Sequence, residues 1–412
     1  MKSETRERPG RFVRVGLRLA EFSERWYPDP LVFALLGIVI VFITGIVLRE
    51  HASDLAIQGG KNFWTLVPFT MQMVMIIIGG YVVASSPPVY RVIRAVAGWP
   101  KSPKPAVAMI ALFSMLTSLV SWGFSLIFSG LLVREMSHRV RGLDYRAAGA
   151  AGYLGLGAVW AMGVSSSAAM MMATPSAIPP SLAKISGVLP LTQTIFLWPS
   201  ILTTAVLVLV SMTIAYLSTP TAEHARTAES FGIRHEPLDT SIERPETPGE
   251  WLDYSPVLSI VVALLLLYYL IHVFRTSPQG VLSALDLNTY NLIFLTAGLL
   301  LHWRPRRFVR AVSQSVPATG GVLIQFPFYA VIFGMIVGTG ITEWLAHLFA
   351  SVTTHGTFPL LVALYSAILG IFVPSGGSKW VIEAPYIMQA ANAHQVHLGW
   401  VVQIYNAAEA LP

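Results

Sequence analysis

Val373-Pro374-Ser375-Gly376-Gly377-Ser378-Lys379-Trp380-Val381-Ile382-Glu383-Ala384-Pro385 cuts into an apolar run that starts near Phe358. It puts two prolines, two adjacent glycines, a lysine and a glutamate where a bilayer-spanning helix carries none of them. Backbone polar groups in hydrocarbon must be satisfied internally, so irregular backbone persists at membrane depth only where protein or a water-filled cavity surrounds it. Charge within the membrane and a broken helix together mark a candidate site.

The rest of the sequence supports a membrane setting. Of 412 residues, 54% are hydrophobic and only 12% charged, with a mean hydropathy of +0.62, against about 25% charged residues in soluble domains. The expected fold is an all-α polytopic membrane protein whose main partner is the lipid bilayer. Cysteine is absent, which excludes disulfides, thiolate zinc sites and cysteine nucleophiles. The net charge of +6 comes from basic residues in short segments between apolar runs, so it reports topology and not a nucleic-acid partner.

In chain order, the N-terminus holds Lys2, Arg6, Arg8, Arg11, Arg14, Arg18 and Arg25, with Phe12, Val15, Leu19, Phe22 and Trp26 at helical spacing. That pattern fits a helix lying on the membrane surface, or a plain basic tail. Spans are expected near residues 31–48, 63–85, 194–217, 256–274 and 287–303, and another apolar segment near 320–350. Residues 105–133 carry basic residues at both ends and an interruption at Ser121-Trp122-Gly123-Phe124-Ser125. They fit a re-entrant hairpin with its tip near Trp122 and Gly123, or one long tilted helix. Residues 147–173 lead through a Gly-rich half into Ser165-Ser166-Ser167 and then Thr174-Pro175. The serines fit a second interruption, since hydroxyls satisfy freed backbone groups; the glycines alone fit close helix packing.

On this topology, inside segments hold 22 of the 27 lysines and arginines, which orients the N-terminus to the cytoplasm. Ala111-Leu112-Phe113-Ser114 recurs 252 residues later as Ala363-Leu364-Tyr365-Ser366. Each half reads as span, span, broken hairpin, and one starts inside and the other outside. The expectation is therefore two inverted-topology repeats, each with spanning helices and a re-entrant or broken-helix hairpin. The divisions are 1–30, a basic interfacial segment; 31–217, a first repeat; 218–253, an acidic cytoplasmic linker with eight Asp and Glu residues; and 254–412, a second repeat that lacks counterparts of the first repeat's last spans.

The run from Trp26 to Leu31, FWTLVPFTMQMVMIIIGGYVVASSPPV from Phe63, SWGFSLIFSGLLVRE from Ser121, ATP at Ala173, QFPFYA at Gln325 and VPSGGSKWVIEAP together resemble the short-chain fatty acid transporter family. The resemblance implies an inner-membrane secondary carrier, a symporter of butyrate- or acetoacetate-type acids with inverted repeats, and a homodimer. It also implies a chain that continues past Pro412. Two positions depart from the family pattern: Ser378 replaces a third glycine, and Glu383 stands where a neutral residue is usual.

A short carboxylate needs charge compensation, a few donors and an apolar wall. Pro374, Ser375, Gly376, Gly377 and Ser378 would open a helix whose N-terminal amides attract an anion. Lys379 would add a full charge, unless it pairs with Glu383 or snorkels outward. Glu383 is a candidate for proton coupling, or the structural partner of Lys379. Hydroxyls at Ser121, Ser165, Ser167, Thr174 and Ser375 would instead suit sodium, so the coupling ion stays open between Na+ and H+. Gly123, Ser125 and Ser166 complete the candidate site, and Trp122 and Trp380 would wall it or anchor at an interface. Gln72 and Gln325 fit interhelical hydrogen bonds. No cofactor is expected and no enzyme: no HExxH motif is present, and His394 and His397 make only a weak pair. A carrier of another organic anion, such as a dicarboxylate, and an ion channel are the alternatives.

Overall fold

The computed structural model describes residues 22, 25–220, 225–233, 245–277, 280–373 and 375–409. Most of the basic segment 1–30, Pro374 and part of the acidic linker lie outside the described residues. Among the described residues every regular element is a helix.

Helix α1 (Pro30–Val47) starts with Asp29 accepting a hydrogen bond from Leu31 N at 2.8 Å and with proline in its first turn, where no amide donor is needed. Its 18 residues reach about 27 Å, close to the ~30 Å hydrocarbon core. Next come α2 (Ala52–Asn62), α3 (Val67–Ala84), α4 (Pro87–Val96), α5 (Pro103–Val120), α6 (Trp122–Arg139) and α7 (Tyr145–Leu154). The chain then winds through a wide π-turn at Gly155–Val159 and a tight turn at Trp160–Met162, into α8 (Ser167–Ala173), α9 (Pro180–Ser186) and α10 (Trp198–Ser218). Beyond the linker are α11 (Pro248–Tyr254) and α12 (Pro256–Thr276). The second half holds α13 (Leu287–His302), α14 (Pro305–Ser315), α15 (Gly320–Val337), α16 (Ile341–Val352), α17 (Phe358–Phe372), α18 (Gly376–Ala393) and α19 (Leu398–Glu409).

Seven segments among the described residues are long and apolar enough to cross a membrane. The outermost are α1, α10 and α12, whose Ile43, Leu209 and Leu265 side chains are more than half exposed. Apolar area on this scale belongs against lipid. The core lies around α18, in which residues 376–388 are all buried; α8, α9, α15, α16 and α19 pack against it.

The halves repeat one another. Helices α1–α7 have 18, 11, 18, 10, 18, 18 and 10 residues, and α13–α19 have 16, 11, 18, 12, 15, 18 and 12. In each set the fifth and sixth helices are separated by a serine in extended backbone: Ser121 at φ −156°, ψ 117° and Ser375 at φ −152°, ψ 99°. The second interruption is two residues longer, so Gly376 and not Pro374 stands where Trp122 does.

Extended backbone at Ser121 rules out one long tilted helix over residues 105–133. The apolar segment at 320–350 is likewise two helices, because Gly340 N donates to Glu50 Oε1 at 2.9 Å and turns the chain between α15 and α16. The basic connectors are themselves helices: α4 carries Arg91 and Arg94, and α14 carries Arg306, Arg307 and Arg310, with Ile93 and Ala311 buried on the opposite side. The winding at residues 155–162 has a local cause. Ser114 Oγ donates to Gly152 O at 2.6 Å and accepts from Gly155 N at 2.9 Å, which takes the place of the regular α-helical ladder.

Gly80 and Gly123 let α3 and α6 touch backbone to backbone. A Cβ on Gly80 would lie 2.4 Å from Phe124 N, and one on Gly123 would lie 2.8 Å from Ile76 O. Gly80→Val is expected to destabilise the protein by about 1–3 kcal/mol or more. Gly130→Ala, with open space around its Cβ, should be neutral or stabilising by up to ~1 kcal/mol. Melting temperatures in detergent check both.

Candidate functional site

The N-terminus of α18 leaves the amides of Gly376, Gly377 and Ser378 without intrahelical acceptors, as every helix start does. Ser375 does not cap them; its Oγ donates instead to Ser378 Oγ at 3.1 Å. Both glycines are required by close neighbours. A Cβ on Gly376 would come within 2.5 Å of the Trp160 ring and 3.1 Å of Glu409 Oε1, and one on Gly377 within 2.7 Å of the Phe69 ring.

The interruption at Ser121 is stitched to the one at residues 163–166. Ser121 Oγ accepts from Phe124 N at 3.2 Å, and Ser165 Oγ accepts from Trp122 N at 3.1 Å while donating to Ser118 O at 2.9 Å. Ser166 caps α8 through Ala169 N and donates to Asn406 Oδ1 at 3.0 Å, so α8 is tied to α19. Ser167 Oγ points to Met73 Sδ at 3.6 Å.

These interruptions face one cavity of about 490 Å³. Trp122, Tyr153, Trp160 and Phe326 supply its aromatic wall, and Ser167, Ser375, Gly376, Gly377 and Gln325 its polar side. Among the described residues Glu409 is the sole charged side chain in the lining.

Behind Glu409 lies a buried charge cluster. Lys379 is 0% exposed and forms an ion pair with Glu409. Its Nζ also donates to Ser366 O at 2.7 Å and sits 4.9 Å from the centre of the Tyr405 ring, a cation–π distance. Glu383 accepts from Ser366 Oγ at 2.5 Å, and its Oε1 has no hydrogen-bond partner among the described residues. Tyr405 donates to Gly376 O, and Tyr365 and Tyr386 share a 2.7 Å hydrogen bond nearby.

The structure thus brings Trp122, Ser167, Ser375, Gly376 and Gly377 to the cavity, with Lys379 one side chain behind. Among the described residues it does not bring the others there. Gly123 serves helix contact. Ser125 donates to Ser114 O at 2.8 Å, and Thr174 Oγ1 donates to Met170 O and accepts from Leu287 N. Trp380 is fully buried against Tyr405, with ring centres 4.7 Å apart, so Trp160 and not Trp380 joins Trp122 in the cavity lining. Pro374 lies outside the described residues. Lys379 does not snorkel outward, and its ion-pair partner is Glu409, not Glu383. Gln72 donates to Asn288 Oδ1 at 2.8 Å, an interhelical bond, whereas Gln325 lines the cavity. His394 bonds to Thr353 Oγ1, and His397 accepts from Trp400 N.

Glu409, Trp160, Tyr153, Ser366 and Tyr405 were not singled out in the sequence. Glu409 had a signal: it is the only acidic residue after Glu383. No local pattern marked the others as site residues: Tyr153 lies on α7, Trp160 in the winding that follows it, Ser366 on α17 and Tyr405 on α19.

Interrupted helices meeting around a solute-sized cavity inside an apolar helical bundle define a polytopic membrane protein of transporter architecture. More particularly, the chain belongs to the short-chain fatty acid transporter family, which it matches over residues 11–411. Two relatives each bear the name "Putative short-chain fatty acid transporter". One, from Escherichia coli (strain K12), is 33% identical over 388 residues, spanning 94% of this chain and 86% of its own. The other, from Haemophilus influenzae (strain ATCC 51907 / DSM 11121 / KW20 / Rd), is 30% identical over 392 residues, spanning 94% and 87%. The crystal structure of the Alcanivorax borkumensis YdaH transporter, described as having an unusual topology, shares the fold with a TM-score of 0.58 at 13% identity, covering 93% of this chain and 87% of that one.

Removing one partner of a buried ion pair leaves an uncompensated charge. Lys379→Met alone is expected to cost about 3–5 kcal/mol, and the double variant Lys379→Met/Glu409→Gln to recover most of it. Thermal unfolding of the three proteins checks the coupling.

Proposed function

We propose that the chain is a cation-coupled secondary carrier that imports short-chain monocarboxylates of the butyrate and acetoacetate kind. The observation that carries this reading is the cavity of about 490 Å³ at which the interrupted helices converge. It falls within the range of about 300–1,000 Å³ usual for small-molecule sites. It pairs an anion-attracting end, made by the α18 amides with Lys379 behind them, with an aromatic wall suited to a short alkyl tail. Residues 31–217 and 254–412 act as two repeats of opposite orientation, joined by the acidic linker 218–253, and alternately open the cavity to each side. The matching helix lengths of the halves support this. The distribution of basic residues supports an inner-membrane placement with a cytoplasmic N-terminus. A homodimer is carried over from the family likeness.

The test is uptake of labelled butyrate by proteoliposomes with a proton or a sodium gradient imposed in turn. Accumulation under either gradient supports the proposal; none, from folded protein, overturns it. The aromatic wall makes a sharper expectation. Trp160→Ala should shift preference toward longer acids, raising hexanoate uptake relative to butyrate about tenfold, since each methylene accommodated is worth about 1–3 kcal/mol. Competition uptake assays check the shift.

A further inference from the structure

The amides at the start of α18 and the charge of Lys379 are the two features suited to a substrate carboxylate, and a carboxylate of the protein already pairs with the second and lies beside the first. Glu409 Oε1 lies against the first residue of α18, 3.1 Å from where a Gly376 Cβ would stand. Its other oxygen pairs with Lys379. Glu409 is also the sole charged group among the described residues of the cavity lining, whereas Lys379 has no exposed surface. A substrate anion in the cavity therefore meets Glu409 first.

We propose that Glu409 occupies the carboxylate site of the empty carrier, and that a proton on Glu409 releases Lys379, beside the α18 amides, to the carboxylate of the transported acid. This rests on the carrier reading above and adds the identity of the coupling group.

The charges around the site favour exchange over simple addition. Lys379 and Glu383 on α18 and Glu409 on α19 place one positive charge against two carboxylates, and the remaining titratable groups facing them are the hydroxyls of Tyr365 on α17, Tyr386 on α18 and Tyr405 on α19. The groups facing Glu409 from α8 and the Trp160 turn are neutral, Ser167 and the Trp160 ring itself. An added anion would set three carboxylates against one lysine in a low-dielectric interior. One proton taken onto Glu409 restores the balance of the empty site: the substrate carboxylate replaces that of Glu409 on Lys379, and the neutral glutamic acid turns aside. Glu383 keeps its hydrogen bond to Ser366 Oγ throughout and lies away from the cavity.

The experiment measures binding of labelled butyrate to the purified full chain in sodium-free buffer across a range of pH, for the parent, Glu409→Gln and Glu409→Asp. In the parent, apparent affinity should fall as pH rises, by up to about tenfold per pH unit where one proton accompanies each acid. Glu409→Asp should keep that slope. Glu409→Gln should bind with no dependence on Glu409 protonation, so its profile is flat, and it should lose proton-driven accumulation while still exchanging butyrate across the membrane. Butyrate should also raise its melting temperature more than the parent's, because the acid then supplies the missing partner of Lys379. A Glu409→Gln profile as steep as the parent's overturns the proposal, since the proton then travels on the acid itself or on another group. Should Glu409→Gln fail to fold, competition by a dihalogenated propionate, which stays ionised throughout, decides in the parent. Competition that weakens with rising pH supports a proton on the protein; competition independent of pH overturns it. Absence of butyrate binding by the folded parent at every pH overturns the carrier reading, and this proposal with it.

Discussion

A lysine with no exposed surface in the middle of a membrane bundle must have its charge answered, and much of the arrangement around α18 follows from that requirement. Lys379 is answered three ways: by the carboxylate of Glu409, the carbonyl of Ser366 and the ring of Tyr405. Each answer draws in a different element. Ser366 lies on α17, so both arms of the second interrupted pair are held to the lysine, and Glu409 and Tyr405 pull α19 onto α18. Tyr405 in turn hydrogen-bonds the carbonyl of Gly376, which fixes where α18 begins. The cavity lies at that beginning because the helices that would fill it are interrupted there.

Ser378 and Glu383 are each held by a neighbouring serine beside Lys379. Ser366 both receives Lys379 on its carbonyl and donates its hydroxyl to Glu383, so one residue serves an acid and a base at once. Ser378 is accommodated because Ser375 turns its hydroxyl onto it instead of capping the helix. The first turn of α18 consequently keeps amides available toward the cavity.

Much of this was legible in the sequence, for identifiable reasons. Proline, paired glycines and charge inside an apolar run have one physical reading, and the interruptions at Ser121, at residues 163–166 and at Ser375 lie where those residues put them. Continuous apolar segments such as α1, α10 and α12 were equally plain. The surface helices α4 and α14 were hidden because their arginines read as connectors. Ser125 and Thr174 looked like ligands because a hydroxyl near a break serves backbone and solute alike; only their partners, Ser114 O, Met170 O and Leu287 N, tell the two apart. Trp160 and Glu409 were harder to place for another reason. The first depends on a winding that Ser114 imposes from another helix, and the second on the docking of α19, and neither leaves a local period.

A short-chain acid bound by this carrier should sit where the interrupted helices meet. That placement is tested most directly by the structure of the full chain with a bromine-labelled short-chain acid, located by anomalous scattering. The bromine should lie beside Trp122 and Trp160, with the carboxylate toward Gly376 and Lys379. A bromine site on any other face of the bundle, with this cavity unchanged, would contradict it.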